Sequence, residues 1–249
     1  MCVEAGQEHI RGKALRIPFA TATGASENGE MSVEVTNLSA AKMHSVRNER
    51  HESVLVAMRQ VQGWLQDSEA SLLMTAVTHA LGALPGNPAV VEVGSFCGRS
   101  TVVLGSTVKA LDTNTMVYAI DPHEGVVGGA DVGVELLPSS LATCQRNISA
   151  NGLSDKVEII SKCSYEVLWD KPIGFLFIDG LHDYANIRRD FRHFEPWLLP
   201  GAYIAFHDYD EGHAGVTKFV NELLAEPHYQ RADCAASIIV LKLASYEPR

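Results

Sequence analysis

From residue 85 onward, short apolar runs alternate with stretches of helical periodicity, and this rhythm constrains the fold more than any other feature of the chain. Each run is continuously apolar rather than alternating, which is typical of strands buried on both faces. Strand, helix and strand in rotation predict a parallel, doubly wound sheet. The predicted strands are residues 89–93, 116–120, 157–160, 174–178 and 202–206.

The end of the chain breaks this rhythm. After a predicted helix over 216–224, two β-rich segments, 228–234 and 237–243, are joined by only two residues. So short a connection permits only antiparallel pairing. The sequence therefore predicts an α/β, Rossmann-like fold whose seven-stranded, mostly parallel sheet closes on an antiparallel hairpin, with helices on both faces.

Helical periodicity predicts three helices between the strands, over 100–111, 139–150 and 186–197. Upstream, the pattern is helical from about Glu49, and a further helix is predicted from Ser68, as its N-cap, to Leu81.

Length and composition favour one α/β domain. We expect residues 1–45, which are small, polar and turn-rich, to be a flexible extension, and 46–249 to be a single domain. Within it, 46–84 would form N-terminal helices and 85–249 the Rossmann-like core. The net charge of −10 without a segregated basic patch argues against nucleic acid. No apolar run approaches the ~20 residues of a membrane span, and five cysteines without a CxxC motif suit the cytoplasm.

The first predicted strand leads into a glycine turn, in the stretch VVEVGSFCGRST. Gly94 and Gly98 frame it in the pattern Glu-x-Gly-x-x-x-Gly. A dinucleotide-binding turn would need a glycine at Phe96, where pyrophosphate approaches the backbone, so the pattern weighs against NAD. Ser100 and Thr101 follow at a helix N-terminus, which suits a carboxylate.

Polar residues without a packing role follow the other predicted strands. In parallel α/β sheets, ligands bind in the crevice at the carboxyl ends of the strands. An acid at the end of the second strand, here Asp121, is where nucleoside-binding folds hold ribose hydroxyls. The residues at these ends are Glu92, Gly94, Asp121, Ser164, Asp179, His207 and Asp208.

Four motifs together resemble the class I S-adenosylmethionine-dependent methyltransferases: VVEVGSFCGRST, VYAIDPHEG, FLFIDGLHDY and LLPGAYIAFHDY. More narrowly, the chain is similar to the group containing macrocin-type and other sugar O-methyltransferases. The resemblance covers about residues 63–243 and is specific for fold and cofactor, less so for acceptor.

The resemblance implies a set of cofactor-binding residues. Ser100 and Thr101 would face the carboxylate of S-adenosylmethionine, and Asp121 its ribose hydroxyls. Ser164 would lie at the adenine edge and Asp179 near the sulfonium. The full set is Glu92, Gly94, Ser95, Phe96, Gly98, Ser100, Thr101, Asp121, Ser164 and Asp179.

A second group of residues follows the fourth and fifth strands, which should be neighbours about 4.8 Å apart. Asp179, His207 and Asp208 would converge there and could hold a divalent ion that lowers the pKa of an acceptor hydroxyl. His182 lies just beyond and is the preferred general base. We therefore expect Asp179, His182 and His207 to be catalytic.

The histidine in this group leaves the metal open, because Mg²⁺ prefers oxygen ligands. His207 could ligate a softer ion such as Mn²⁺; Asp179 and Asp208 could hold Mg²⁺ with His207 behind them; or no metal binds and a histidine acts alone. Of these we expect a metal, Mg²⁺ first. Alternatively, Asp208 only caps a loop and His182 is a turn residue.

The sequence thus predicts an O-methyltransferase acting on a hydroxyl of a sugar or glycosylated small molecule, in a homodimer without nucleic-acid or membrane partners. Residues 124–138 would form a mobile lid, and His213 would help wall the acceptor pocket. The rivals are an NAD-dependent oxidoreductase, which would bind NADH, and a non-catalytic protein that binds the cofactor without transferring its methyl group.

Overall fold

A computed structural model describes residues 48–125 and 138–244. The extension predicted over 1–45 lies outside the described residues, and so does almost all of the lid predicted over 124–138. None of the helices in the described ranges combines the length and apolar character needed to cross a membrane.

Six helices and seven strands make up the described part. The helices are α1 (48–59), α2 (Asp67–Ala83), α3 (Arg99–Ala110), α4 (Leu141–Ala150), α5 (Tyr184–Phe194) and α6 (Ala214–Ala225). The strands are β1 (Ala89–Val93), β2 (Val117–Ile120), β3 (Val157–Ile160), β4 (Ile173–Ile178), β5 (Leu198–Phe206), β6 (Tyr229–Ala235) and β7 (Ile238–Leu243).

The seven strands form one sheet in the order β3-β2-β1-β4-β5-β7-β6. The first five are parallel, whereas β7 runs antiparallel to both β5 and β6. This confirms the predicted parallel sheet and its closing hairpin. The chain builds outward from β1 to β3 and then returns to place β4 on the other side of β1, so the strand order reverses between β1 and β4.

Both faces of the central strands β1, β2 and β4 are buried, as continuous apolar strands require, whereas the edge strands β3 and β6 are partly exposed. Along β4, Phe175 and Phe177 pack in a core with residues of α2 and α3, while Leu176 and Ile178 pack in a second core with residues of α5 and α6. This alternation follows from the two-residue period of a strand.

All five predicted helices start one or two residues away from the predicted position, and for two of them the hydrogen bonds show why. The N-cap of α2 is Gln66 rather than Ser68, because the backbone N–H of Gln66 donates to the carboxylate of Glu69 in a capping box. Helix α5 begins at Tyr184, two residues early, because Asp183 accepts hydrogen bonds from the N–H groups of Ala185 and Asn186.

The register aligns the ends of four strands. Val93, the last residue of β1, is paired with Ile120 and Ile178, and Ile178 is paired with Phe206. The residues that follow these strand ends therefore lie side by side along one edge of the sheet. In spatial order they are Asp121, Gly94, Asp179 and His207.

Candidate active site

Gly94 brings the end of β4 against the turn that follows β1. Its φ of +93° lies in the left-handed region, and a Cβ at this position would lie 1.9 Å from the carbonyl oxygen of Asp179. No side chain fits there, so glycine is required by both the conformation and the close approach. The contact places Asp179 directly beside the glycine turn.

Replacing Gly94 with alanine should therefore destabilise the fold by at least about 3 kcal/mol, because the new methyl group forces the two strand ends apart. Urea denaturation and soluble yield measure this. The matched control is Gly82→Ala in α2, where a Cβ meets nothing within 4 Å. Alanine there should raise stability by about 0.5–1 kcal/mol, and a Gly94→Ala protein as stable as wild type would refute the close approach.

Phe96 holds the turn against the end of β2. Its φ is +44°, which is strained for a bulky residue, and its backbone N–H donates to Oδ2 of Asp121 at 2.8 Å. The other oxygen of Asp121 accepts from the backbone N–H of His123 at 2.7 Å. The ring of Phe96 lies 5.4 Å from that of Trp64, which is two-thirds exposed. Asp121 is thus fixed at the edge of the turn, where the predicted ribose contact would be made.

Glu92 accepts hydrogen bonds from the two hydroxyls at the start of α3. Ser100 and Thr101 both donate to its carboxylate, Thr101 at 2.5 Å, and all three side chains are buried. These hydroxyls therefore have a protein partner in place of the predicted cofactor carboxylate. No side chain among the described residues caps α3, so its backbone N–H groups remain the element suited to an anion.

Burial raises the pKa of Glu92 from 4.5 to about 8, against the lowering effect of the two hydroxyl donors. The folded protein thus holds this proton more tightly than the unfolded chain, so the group favours folding fully below pH 4.5 and loses that contribution as the pH rises to about 8.

Glu92→Gln keeps both hydroxyl partners and cannot ionise. We expect the stability of wild type to fall relative to Glu92→Gln by up to about 1.4 kcal/mol per pH unit across this range. Urea denaturation of the ligand-free proteins at several pH values measures the difference. The control is Glu158→Gln at an exposed position of β3, which should follow wild type, and parallel curves for wild type and Glu92→Gln would contradict the prediction.

Two buried polar atoms near the turn have no hydrogen-bond partner among the described residues. They are Oγ of Ser95 and Nε2 of His123, and both residues are only 2% exposed. Because buried polar groups are normally hydrogen-bonded, an unpartnered hydroxyl inside the turn fits a site made for a polar ligand. Ser164, by contrast, donates its hydroxyl to Asp190 at 2.5 Å, so its predicted place at the adenine edge rests on position alone.

The second predicted group does come together. Nδ1 of His207 lies 3.3 Å from Oδ1 of Asp179 and 2.8 Å from Oδ2 of Asp208. Nε2 of His182 lies 2.8 Å from the same Oδ2 of Asp208. Asp208 is therefore shared by two histidines, at the edge of the sheet next to the glycine turn.

His213 extends this group outward. Its Nδ1 lies 3.7 Å from Oδ1 of Asp208 and 2.9 Å from Asp210, and its ring lies 4.5 Å from the ring of His182. The role predicted for His213, as a wall of the acceptor pocket, stays a prediction. Asp183, the residue after His182, caps α5.

Sequence reasoning missed Glu69, which comes from α2 and is fully buried beneath the site. Its Oε2 lies 3.4 Å from Nε2 of His207, while Oε1 accepts from both the N–H and the hydroxyl of Ser237. The available signal was an acid on the buried face of an amphipathic helix, one turn before Leu72 and Leu73.

These contacts set the protonation of the group. Burial alone would lower the pKa of His207, but the charge of Asp179 and the hydrogen bonds to Asp208 and Glu69 raise it to about 11. Burial would raise the pKa of Asp208, yet the hydrogen bonds from His182 and His207 lower it well below its usual range. Burial raises the pKa of Asp179 to about 6. At neutral pH the group therefore holds an imidazolium between carboxylates.

The predicted metal ligands are close enough for one ion, but the contacts of His207 do not suit a ligand. The ligand atoms of Asp179, His207 and Asp208 all lie within 4.8 Å of one another. A histidine ligand needs an unprotonated nitrogen, whereas both nitrogens of His207 face carboxylates. The predicted ligand role of His207 is therefore not supported by its contacts.

Comparisons with known proteins identify the kind of domain that carries this site. Residues 91–209 match the methyltransferase-domain family Methyltransf_24. A stretch of 138 residues is 28% identical to the uncharacterized protein y4gI of Sinorhizobium fredii, covering 55% of this chain and 15% of that protein. The chain thus matches only a small part of that relative's length.

Several solved structures share the fold. The O-methyltransferase NovP matches with a TM-score of 0.62 and 17% identity over 73% of this chain and 83% of its own. The O-methyltransferase TomG from Streptomyces achromogenes is involved in tomaymycin synthesis. It matches with a TM-score of 0.55 and 15% identity over 80% of this chain and 90% of its own. CalS11, a TDP-rhamnose 3′-O-methyltransferase, matches with a TM-score of 0.52 and 16% identity over 78% of this chain and 93% of its own.

The family match spans the glycine turn, Asp121, Asp179 and the His207–Asp208 pair, which are the residues that the register brings to one edge. Over residues 91–209 the chain therefore carries a methyltransferase domain.

Proposed function

We propose that the protein transfers a methyl group to a hydroxyl of a sugar or of a glycosylated small molecule, such as a polysaccharide precursor or a natural product. The observation that carries this proposal is the 2.8 Å contact between His182 and Asp208 beside Asp179. A hydroxyl must lose its proton to become a good nucleophile, and this pair has the arrangement of a base and its orienting carboxylate. NovP and TomG are O-methyltransferases, which supports a hydroxyl as the methyl acceptor. CalS11 acts on TDP-rhamnose, which supports a sugar as the molecule that carries this hydroxyl.

The chain's residues divide into a cofactor half and an acceptor half. The turn from Gly94 to Gly98, with Asp121, would hold S-adenosylmethionine, as the unpartnered Ser95 hydroxyl and the uncapped α3 support. The bound cofactor supplies an electrophilic methyl group on a sulfonium, which an acceptor oxygen takes as it gives up its proton.

On the acceptor half, His182 takes the hydroxyl proton. Asp208 accepts a hydrogen bond from Nε2 of His182, so it fixes the ring and stabilises the imidazolium that forms. His207 in turn fixes Asp208 through its contact at 2.8 Å. Asp179 lies between the two halves, next to both the glycine turn and His207.

Of the three readings that the sequence left open for the metal, we propose the one in which no metal binds and His182 acts as the base. The contacts of His207 support this choice over Mg²⁺ or Mn²⁺. Activity that survives exhaustive chelation would agree with it. Activity that EDTA abolishes and Mg²⁺ restores would instead return the metal-assisted reading.

The function is tested by binding and transfer together. Calorimetry should show binding of S-adenosylhomocysteine and none of NADH. Radiolabelled S-adenosylmethionine with a panel of nucleotide sugars and glycosides should give a base-stable methyl ether on at least one of them. Binding without transfer to any sugar or other hydroxyl would favour the non-catalytic rival. The homodimer and the cytoplasmic location stay predictions.

A further inference from the structure

His207 contacts three carboxylates that come from three different elements. Glu69 reaches it from α2, Asp179 from the end of β4, and Asp208 follows it directly in the chain. His207 is 7% exposed and Glu69 fully buried, so bulk water does not compete for the contact between these two residues, whereas Asp179 and Asp208 are partly exposed.

The contacts occupy both sides of the ring. Nε2 faces Glu69 at 3.4 Å, and Nδ1 faces Asp208 at 2.8 Å and Asp179 at 3.3 Å. An ionised carboxylate only accepts hydrogen bonds, so each nitrogen must carry a proton to bond one. The geometry therefore describes a doubly protonated ring bridging an interior carboxylate and two carboxylates of the active site.

Glu69 is built to hold this ring. Besides His207, it accepts from the N–H of Gln66 at 2.8 Å and from both the N–H and the hydroxyl of Ser237. A fully buried carboxylate is stable only with such partners. Because these donors come from α2 and from the turn between β6 and β7, Glu69 is fixed independently of the active site.

We infer that His207, clamped by Glu69, is a built-in cation that takes the position of a divalent ion between Asp179 and Asp208, with Glu69 as the positioning residue. A divalent ion at the two aspartates would have to displace the hydrogen bonds of His207 and sit beside its positive charge. The role of this cation in methyl transfer rests on the proposed function. The contact between Glu69 and His207 does not, since it is a property of the free protein.

The first test is ¹⁵N NMR of the histidines in the free protein. His207→Asn removes the His207 signals and so assigns them among the ten histidines. We expect both ring nitrogens of His207 to be protonated in wild type. In Glu69→Gln the amide keeps the Ser237 contacts and can donate to Nε2, so this nitrogen should lose its proton. A singly protonated His207 in wild type, or an unchanged signal in Glu69→Gln, would overturn the inference.

The second test is Mn²⁺ binding followed by electron paramagnetic resonance. Wild type should show no saturable binding that Asp179→Asn abolishes. Asp179 is the control because a second candidate group, His182, Asp208 and His213, does not include it. His207→Asn keeps a donor toward Asp208 but loses the charge, so it should bind Mn²⁺ at least about 10-fold more tightly. Binding of one Mn²⁺ to wild type that Asp179→Asn abolishes, or no gain in a folded His207→Asn protein, would count against the built-in cation.

Thermal unfolding and S-adenosylhomocysteine affinity establish that the variants are folded. If His207→Asn does not fold, the Mn²⁺ measurement on wild type still decides, and the histidine whose ring protonation changes in Glu69→Gln identifies the His207 signals. Neither readout needs an acceptor, so the inference can fail while methyl transfer to a sugar is found. It can also hold if the acceptor proves to be a different hydroxyl compound.

Discussion

Asp179→Ala is expected to lower kcat by at least about 100-fold, the usual cost of removing a charge that a site directs at its reacting groups. Asp179 lies between the cofactor half and the acceptor half, and it contacts both the glycine turn and His207. Affinity for S-adenosylhomocysteine should change little, because Asp121 and the turn remain. A methyl-transfer assay with calorimetry of the same protein separates the two effects.

The role of Asp179 also predicts how the activity changes with pH. Because burial raises the pKa of Asp179 to about 6, the carboxylate is ionised above this pH and protonated below it. Activity that needs the charge should therefore fall as the pH drops through about 6. Asp179→Asn imitates the protonated form at every pH, so it should be slow at every pH, and an acid limb that remains in this variant belongs to the base His182.

Asp170→Asn is the matched control, since this aspartate is exposed and pairs only with Lys171 among the described contacts. It should keep both the wild-type rate and the wild-type pH profile. Near-wild-type turnover in Asp179→Ala would remove Asp179 from the site.

The sheet and the grouping of its edge residues were predictable because both follow from local patterns. Continuous apolar runs indicate strands buried on both faces, and the two-residue link at 235–236 permits only a hairpin. Once β4 and β5 are neighbours, Asp179 and His207 must meet, and they lie 3.3 Å apart. The prediction succeeded where a periodic backbone fixes the position of each side chain.

The protonation of the site was not predictable, because it depends on a residue far away in the chain. Glu69 precedes His207 by 138 residues and meets it only because α2 packs beneath the end of β5. Glu69 also forms a capping box with Gln66. Glutamine is not a usual N-cap residue, so the sequence pointed to Ser68 instead. Neither this local role nor the tertiary contact with His207 could be predicted from the sequence.

The hydroxyls of Ser100 and Thr101 illustrate the same limit on the cofactor side. A helix N-terminus with two hydroxyls suits a carboxylate, and the nearest one in the fold is that of Glu92 on the adjacent strand. Sequence reasoning placed all three residues near the turn correctly. It could not decide which carboxylate the hydroxyls would bond, since that depends on side-chain direction rather than on position in the chain.

His182→Gln should lower kcat by about 100- to 10,000-fold, the range for losing a positioned general base. Glutamine keeps a donor for Asp208 but cannot take the hydroxyl proton at neutral pH. S-adenosylhomocysteine should bind as in wild type, because His182 lies on the acceptor half. His228→Gln is the control, since this half-exposed histidine pairs with Glu226 and lies outside the site, and it should keep full activity.

The pairing of His182 with Asp208 is tested by combining their variants. Asp208→Asn leaves the base without its orienting carboxylate, so it should also reduce kcat, by less than His182→Gln. If the two act as a unit, the double variant is no slower than His182→Gln, because a carboxylate that orients an absent base contributes nothing. Fully multiplicative losses in the double variant would mean that Asp208 acts on the reaction by another route. A His182→Gln protein as fast as wild type would leave the reaction without its proposed base, although the methyltransferase fold would be unaffected.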